Sequence, residues 1–194
     1  MGGVGACGLH GSILFLRWLK FLWSGWVEFF WVGVWFDIFV WICGIIFNGN
    51  QGIGGEWGHN FLDESGGPCY CGKKGCVETV IAGPSLERYY KSISGKEGVR
   101  LKEIVKRYED GEENAKKTMD RLTHFFGLGI STIINVLDPE VIVLGGGVGN
   151  IDLLYTEGVK EAEKYTFNTR FDTKIVKPKL GDSAGVFGAA FLVA

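Results

Sequence analysis

One histidine and three cysteines lie close together in this sequence, and they limit its possible folds more than any other feature. His59 is followed by Cys69, Cys71 and Cys76, so that the sulfurs have a C-x-C-x4-C spacing interrupted by glycines. Glycines at such positions let a short loop curl back and bring its side chains together. Zn²⁺ accepts Cys and His in a closed tetrahedral site with bonds of about 2.0–2.3 Å, which leaves no position for water. The spacing therefore predicts a structural zinc site in the loop 59–76.

Two other interpretations of this cluster stay open on the residues alone, namely redox chemistry and coincidence. A disulfide framework is disfavoured, because two of the five cysteines, Cys7 and Cys43, lie outside the cluster. Two carboxylates, those of Glu56 and Glu78, lie close to the cluster in sequence. On spacing alone, each of them is better explained as a solvated surface acid.

Length, charge and cysteine usage restrict the class of protein. With 194 residues the chain can bury a real hydrophobic core, in one large domain or two small ones. A net charge of −2 and the lack of a basic cluster give no reason to expect nucleic acid as a partner. Clustered thiols without a secretory signal favour a reducing, cytoplasmic location.

Residues 1–43 differ in composition from residues 44–194, and we treat the two segments separately. The first segment is rich in tryptophan, phenylalanine and glycine, and three interpretations compete. A membrane-spanning helix over Phe29–Phe47 would have a suitable length, but it would put Asp37 in the bilayer at a cost of about 2.5–3.5 kcal/mol. A signal peptide would need a charged start and a cleavage site, which are lacking. We favour translation of a G- and T-rich strand in the wrong frame, and we expect no membrane partner.

Three motifs together resemble the ROK family of bacterial sugar kinases and sugar-responsive repressors, and within it the fructokinase-like members. They are G-E-W-G-H at 55–59, C-Y-C-G-K-K-G-C-V-E at 69–78 and L-D-P-E-V-I-V-L-G-G-G at 137–147. The resemblance implies that His59 and the three cysteines bind zinc. It also implies that Glu56, His59 and Glu78 contact the hydroxyls of a hexose. Finally, it implies that Gly146 and Gly147 lie beside the adenosine of ATP.

The alternation of helices with short apolar strands predicts an α/β fold. The resemblance specifies the actin-like ATPase, sugar-kinase and ribonuclease H-like fold, incomplete at the N-terminus. Gly127 and Gly129 inside the longest helix predict close packing against another backbone. The first expected helix lies in Ile81–Tyr90, with Pro84 in its first turn. Further helices are expected at 101–108, 112–136 and 151–165, and a last one begins within 181–190. The expected strands are 141–144 and 173–176.

The function implied by the resemblance is phosphorylation of a hexose by ATP and Mg²⁺. Family kinases begin with a D-x-G-x-T phosphate loop and carry a base Asp just before a G-T-G-x-G-G-G hairpin, and this sequence contains neither motif. We therefore assign no catalytic residue and expect a truncated or impaired copy. The alternatives are a sugar-responsive regulator and a zinc-stabilised sugar-binding protein without chemistry. Pairing into a homodimer is a further implication of the resemblance.

Overall fold

The computed structural model describes residues 29–32, 38–42, 45–46 and 49–179, which form a mixed sheet and a group of helices. The strands are β1 (Phe29–Val32), β2 (Ile38–Ile42), β3 (Ile45–Ile46), β4 (Val141–Leu144) and β5 (Lys174–Val176). The α-helices are α1 (Val77–Ile81), α2 (Gly83–Ser94), α3 (Leu101–Glu109), α4 (Glu113–Leu137) and α5 (Glu157–Tyr165). Short 3-10 turns lie at Trp57–His59, Glu64–Gly66, Val148–Asn150 and Asp152–Tyr155.

The sheet has the strand order β3-β2-β1-β4-β5. Strand β4 is parallel to both of its neighbours, with Ile142 opposite Phe30 of β1 and opposite Ile175 of β5. Strands β1, β2 and β3 pair in antiparallel fashion. All four residues of β4 are buried, as expected for a parallel strand covered on both faces. This mixed order belongs to the ribonuclease H-like class, so the predicted α/β class is confirmed.

Helix α4 is the central element of the core. Its apolar residues recur at helical spacing, and one broad face of the helix is therefore buried. The helix ends at Leu137 and is capped by Asp138, whose left-handed backbone (φ 44°) directs its N–H to the carbonyl of Ile134. Pro139 follows, and proline cannot continue a helix. The helix predicted over residues 112–136 is confirmed to within one residue at each end.

The two glycines of α4 face different neighbours. A Cβ on Gly127 would lie 2.6 Å from the carbonyl carbon of Glu161 and 2.8 Å from the amide nitrogen of Ala162, so α4 and α5 meet at backbone distance. A Cβ on Gly129 would instead lie 3.0 Å from the ring of Trp57. The predicted close packing against another backbone is confirmed for Gly127. It is wrong for Gly129, which makes room for an indole.

The single helix predicted over residues 151–165 is divided into two parts. A 3-10 turn ends at Tyr155, and Thr156 (φ −118°, ψ −81°) breaks the helical path before α5 begins. Leu154 is buried as predicted, whereas Val159 is only half-buried. The face of α5 that packs on α4 is formed by the small residues Gly158 and Ala162, both of which are buried.

The remaining predicted elements have different outcomes. The helices starting at Gly83 and Leu101 and the strand near residue 174 are confirmed. The helix predicted at 181–190 lies outside the described residues. The helix considered over Phe29–Phe47 is wrong where that segment is described, because those residues form strands β1 to β3. Among the residues the structure describes, no helix is both long and apolar enough to cross a bilayer.

Candidate metal centre and ligand cleft

The loop between Trp57 and Cys76 is folded by local backbone contacts. Leu62 donates its N–H to the carbonyl of Gly75 (2.7 Å), and Cys69 donates to the carbonyl of Lys73 (2.8 Å). Gly75 has a positive φ of 76°, and a Cβ there would lie 2.6 Å from the carbonyl oxygen of Asp63. Only glycine fits this crossing without strain. The loop can therefore fold back so that Cys69 and Cys76, seven residues apart in sequence, approach each other.

The structure brings the four predicted ligands together. The ligand atoms of His59, Cys69, Cys71 and Cys76 all lie within 4.8 Å of one another. His59 Nδ1 lies 3.5 Å from Cys69 Sγ, and Cys71 Sγ lies 3.6 Å from Cys76 Sγ. A tetrahedral ion with bonds of about 2.0–2.3 Å separates its ligands by roughly 3.3–3.8 Å. All three thiols are free of disulfides, so the donor set and its spacing fit a tetrahedral metal ion.

The thiols differ in how readily they ionise. Burial, and after it the neighbouring thiols of Cys71 and Cys69, raise the pKa of the Cys76 thiol to about 12. A hydrogen bond from the backbone of Lys73 lowers the pKa of the exposed Cys71 thiol. Metal binding requires thiolates and releases their protons. The exposed Cys71 is thus better prepared to bind a cation than the buried Cys76.

His59 turns its two ring nitrogens towards different groups. Nδ1 faces the sulfur of Cys69, whereas Nε2 lies 2.8 Å from the hydroxyl of Tyr70. Nε2 also lies 3.9 Å from Oε2 of Glu56 and 3.9 Å from Oε2 of Glu78. These two separations are too long for hydrogen bonds. One side of the ring therefore faces the sulfur cluster, and the other faces a pair of carboxylates.

One carboxylate oxygen of Glu78 accepts no hydrogen bond from the described residues. Its Oε2 is buried, and no hydrogen-bond partner reaches it from the part of the chain that is described. Buried carboxylate oxygens are normally paired, and an unpaired one calls for an explanation. The backbone of Glu78 is fixed, because Ser85 Oγ donates to its carbonyl (2.8 Å) and Arg88 in turn donates to Ser85 Oγ (2.9 Å). Helix α2 thus fixes the backbone from which the carboxylate extends.

Helix α4 contacts the loop through the side chain of Arg121. The guanidinium of Arg121 lies 4.8 Å from the ring centre of Tyr89 and 4.7 Å from that of Phe125. Arg121 donates a hydrogen bond of 2.7 Å to Ser65 Oγ, in the turn that precedes the first cysteine. Ser65 also bonds to Asp63 through both its backbone N–H and its hydroxyl. The stacked arginine therefore ties the loop to the core.

A cleft of about 820 Å³ connects this loop to the glycine turn after β4. Tyr70 and Glu78 line one part of the cleft, and Gly146 and Gly147 line another. Gly146 has a positive φ of 73°, which lets the chain turn sharply at the end of the strand. A Cβ on Gly147 would meet no atom within 4 Å. Of the residues predicted for sugar, only Glu78 lines the cleft, together with both glycines predicted for nucleotide; Glu56 and His59 do not line it.

Sequence reasoning missed several residues of this region. Tyr70 lies between two predicted ligands, Cys69 and Cys71. An aromatic side chain in a glycine-rich loop was the one sequence feature that could have marked it as part of the site. Ser85 and Arg88 lie in the first turns of α2, and their link to Glu78 depends on how α1 and α2 meet at Ala82. The sequence pattern does not predict the angle at which two consecutive helices meet.

Solved structures show the class of protein that this fold defines. A ROK family glucokinase from Streptomyces griseus, solved in complex with glucose and AMPPNP, superimposes with a TM-score of 0.75 at 24% identity, covering 86% of this chain and 59% of that one. A ROK hexokinase from Thermus thermophilus gives a TM-score of 0.74 at 28% identity, covering 84% of this chain and 55% of that one. The fold is that of the actin-like ATPase class to which ROK sugar kinases belong.

The sequence comparisons identify the family. A model of the ROK family matches residues 31–194, and the chain belongs to this family. An N-acetyl-D-glucosamine kinase from Vibrio atlanticus is 36% identical over 159 residues, which cover 77% of this chain and 52% of that protein. One from Histophilus somni is 36% identical over 165 residues, covering 77% and 54%. The chain thus spans about half the length of these curated relatives.

These matches bear on the predictions made from the sequence. The predicted ROK family is confirmed, and the curated relatives named above are kinases, which does not favour the regulator alternative. They are named for N-acetyl-D-glucosamine and not for fructose, so a preference for fructose stays a prediction. The family match begins at residue 31, ahead of the segment boundary placed after residue 43. That boundary and the reading-frame hypothesis also stay predictions.

Proposed function

We propose that this chain forms the hexose-binding and adenosine-binding region of an ATP-dependent hexose kinase. The hexose would lie against Glu56, His59 and Glu78, and the adenosine against Gly146 and Gly147. Support comes from the cleft that both groups of residues border or approach, and from the kinase names of the relatives. Among candidate sugars, N-acetyl-D-glucosamine is favoured by those names, and fructose by the motif resemblance.

One observation carries the proposal, namely the gap between His59 Nε2 and the unpaired Oε2 of Glu78. The two atoms are 3.9 Å apart, and an oxygen at about 2.8 Å from each fits between them. A sugar hydroxyl has the complementary chemistry, because it can accept a hydrogen bond from the ring N–H and donate its own to the carboxylate. Hydrogen bonds to a carboxylate are also stronger than those between neutral groups.

We propose zinc as the ion held by His59, Cys69, Cys71 and Cys76. When bound in such a closed site, zinc supplies structural stability and no open position for chemistry. Ligation of His59 through Nδ1 would leave the hydrogen on Nε2, so that the ring donates towards the carboxylates. His59 would then bind and orient the hexose, with Glu56 and Glu78 as acceptors.

The glycine turn would receive the adenosine moiety of MgATP. The open space beside Gly147 lets a ligand approach the backbone. Because the 194 residues contain neither the D-x-G-x-T loop nor the motif with the base Asp, we assign no catalytic residue. We expect the chain on its own to bind hexose and to phosphorylate it slowly or not at all.

Calorimetric titration of the metal-loaded chain with N-acetyl-D-glucosamine, glucose, mannose and fructose tests the proposal. We expect one of them to bind, and Glu78→Gln to weaken its binding by at least about tenfold, because a hydrogen bond to a charged acceptor is lost. Glu64→Gln is the matched control, since Glu64 is 80% exposed and pairs only with Lys74 among the ion pairs of the described residues. Equal binding by both variants would contradict the proposal.

The same titrations discriminate the non-catalytic alternative. Hexose binding together with binding of AMPPNP supports a kinase region, whereas hexose binding without nucleotide binding supports a sugar-binding protein. Rapid phosphorylation of any of these hexoses by the isolated chain with MgATP would refute the expectation of an impaired copy.

A further inference from the structure

We propose that the hydroxyl of Tyr70 occupies the place of a sugar hydroxyl on His59, and that a hexose must displace it to bind. Tyr70 would then set the affinity of the site for sugar. This inference rests on the proposed function, because it takes the carboxylate-facing side of His59 as the hexose site.

The contact between the two side chains is direct. The Tyr70 hydroxyl lies 2.8 Å from His59 Nε2, an ordinary hydrogen-bond distance. The two rings meet edge to face, with centres 4.9 Å apart and planes at 89°. Tyr70 also lines the cleft together with Glu78. The Tyr70 hydroxyl thus contacts Nε2 of His59, the ring nitrogen that faces Glu56 and Glu78.

A phenol and a sugar hydroxyl compete for the same hydrogen. With Nδ1, which lies 3.5 Å from the sulfur of Cys69, bound to the proposed ion, the ring would have a single N–H, at Nε2, to direct towards the carboxylates. That N–H can make one strong hydrogen bond, so the two hydroxyls cannot both accept it in good geometry. Entry of a hexose hydroxyl at this nitrogen therefore requires Tyr70 to leave.

Movement of the Tyr70 ring leaves the hydrophobic core closed. Three quarters of its surface is exposed, at 75%, so rotation of the side chain does not open the core. The backbone on either side is fixed independently, by the hydrogen bonds of Cys69 N–H to the Lys73 carbonyl (2.8 Å) and of Gly72 N–H to the Cys69 carbonyl (3.0 Å). The ring can therefore move by side-chain rotation while the loop keeps its shape.

The competition has a measurable size. A hydrogen bond between neutral partners contributes a modest net free energy, equivalent to a factor of about three to ten in an equilibrium constant. Removing the phenolic hydroxyl removes the competitor and leaves the ring in place. We therefore expect Tyr70→Phe to bind hexose about three- to tenfold more tightly than the wild type.

Calorimetric titration of wild type and Tyr70→Phe with N-acetyl-D-glucosamine tests this. The matched control is Tyr165→Phe, because the Tyr165 hydroxyl also lies against a histidine, 3.4 Å from His124 Nδ1, and neither residue lines the cleft. Tighter binding by Tyr70→Phe with unchanged binding by Tyr165→Phe supports displacement. Unchanged or weaker binding by Tyr70→Phe overturns it while leaving the proposed function intact. Failure of both wild type and Tyr70→Phe to bind overturns the proposed function and this inference together.

A second measurement does not depend on affinity. In nitrogen-15 spectra of the histidine rings, we expect the Nε2 hydrogen of His59 to exchange faster with water in Tyr70→Phe. We also expect the wild-type Tyr70 ring resonances to shift on addition of N-acetyl-D-glucosamine, as the phenol leaves the imidazole. A Tyr70 resonance that does not respond to saturating sugar would overturn displacement, because the ring would then have stayed in place.

Discussion

At the scale of single residues, the two glycines after β4 have different reasons to be glycine. Gly146 has a φ of 73°, which side-chain-bearing residues rarely adopt. Gly147 has an ordinary helical φ of −63° and free space where a Cβ would point. The fold therefore requires glycine at 146, whereas at 147 it leaves room for a side chain.

Alanine substitutions separate these two roles. We expect Gly146→Ala to lower the free energy of unfolding by about 1 kcal/mol or more, because alanine is strained at a positive φ. We expect Gly147→Ala to leave that free energy nearly unchanged and to weaken binding of AMPPNP, because its methyl group enters the space proposed for adenosine. Urea unfolding and calorimetry measure the two effects. Full nucleotide affinity in Gly147→Ala would contradict the proposed position of the adenosine.

The cluster of candidate metal ligands was predictable from the sequence, and much of the surrounding site was not. His59 and the three cysteines lie within one short loop, so their spacing nearly determines their meeting. The direction of the His59 ring is different, because it depends on where the loop places Tyr70, Glu56 and Glu78. The roles of the two carboxylates came from the family resemblance, since spacing alone favoured surface acids.

At the scale of elements, the crossing of α4 and α5 determines how the core closes. Gly127 of α4 lies against the backbone at Glu161 and Ala162, and Gly158 of α5 lies against the ring of Phe126. Small residues on both helices allow this close approach. The interface therefore has little room for added atoms.

A single methyl group tests the crossing. We expect Gly127→Ala to destabilise the protein by about 1–3 kcal/mol in urea unfolding, because its Cβ overlaps backbone that cannot rotate away. Gly83→Ala is the control, since its Cβ would make an ordinary contact of 3.4 Å with Leu101, and we expect a change below about 1 kcal/mol. Equal effects of the two substitutions would show that the helices are free to separate.

Hydrophobic periodicity predicted the elements in which the buried residues either recur at helical spacing or form one continuous apolar run. Helix α4 and strand β4 are of this kind, because each has a continuous apolar face or run. Thr156 was missed as a break, because nothing in its side chain forbids a helix; the break lies in its backbone angles. The strands β1 and β2 were missed because their aromatic and glycine-rich surroundings gave no clear alternation.

At the scale of the whole molecule, the candidate metal centre lies in a loop that is held by backbone hydrogen bonds and isolated bridges. Phe61 and Cys76 pair as an isolated β-bridge, as do Pro68 and Lys74. Beyond these bridges and the short turns, the loop has little regular structure. A metal ion that bound only the folded loop would stabilise the fold in proportion to its affinity.

Removal of the metal should therefore lower the melting temperature. For an ion at about 100 times its Kd, we expect a strong chelator to lower Tm by roughly 5–10 °C in scanning calorimetry. Re-addition of Zn²⁺ should restore it. Cys71→Ser should melt at the same temperature with and without chelator, and Cys7→Ser, outside the cluster in sequence, should respond as the wild type does. A wild type that is insensitive to chelation would contradict the metal centre.

The packing of Trp57 against Gly129 links the position of His59 to helix α4. Trp57 is only 7% exposed and is the first residue of the 3-10 turn that carries His59, and it packs on the same helix that contacts α5 through Gly127. Helix α4 thus supports the turn that carries His59 on one side and packs against α5 on another. A change in the tilt of α4 would therefore move Trp57, and His59 with it, relative to the rest of the cleft.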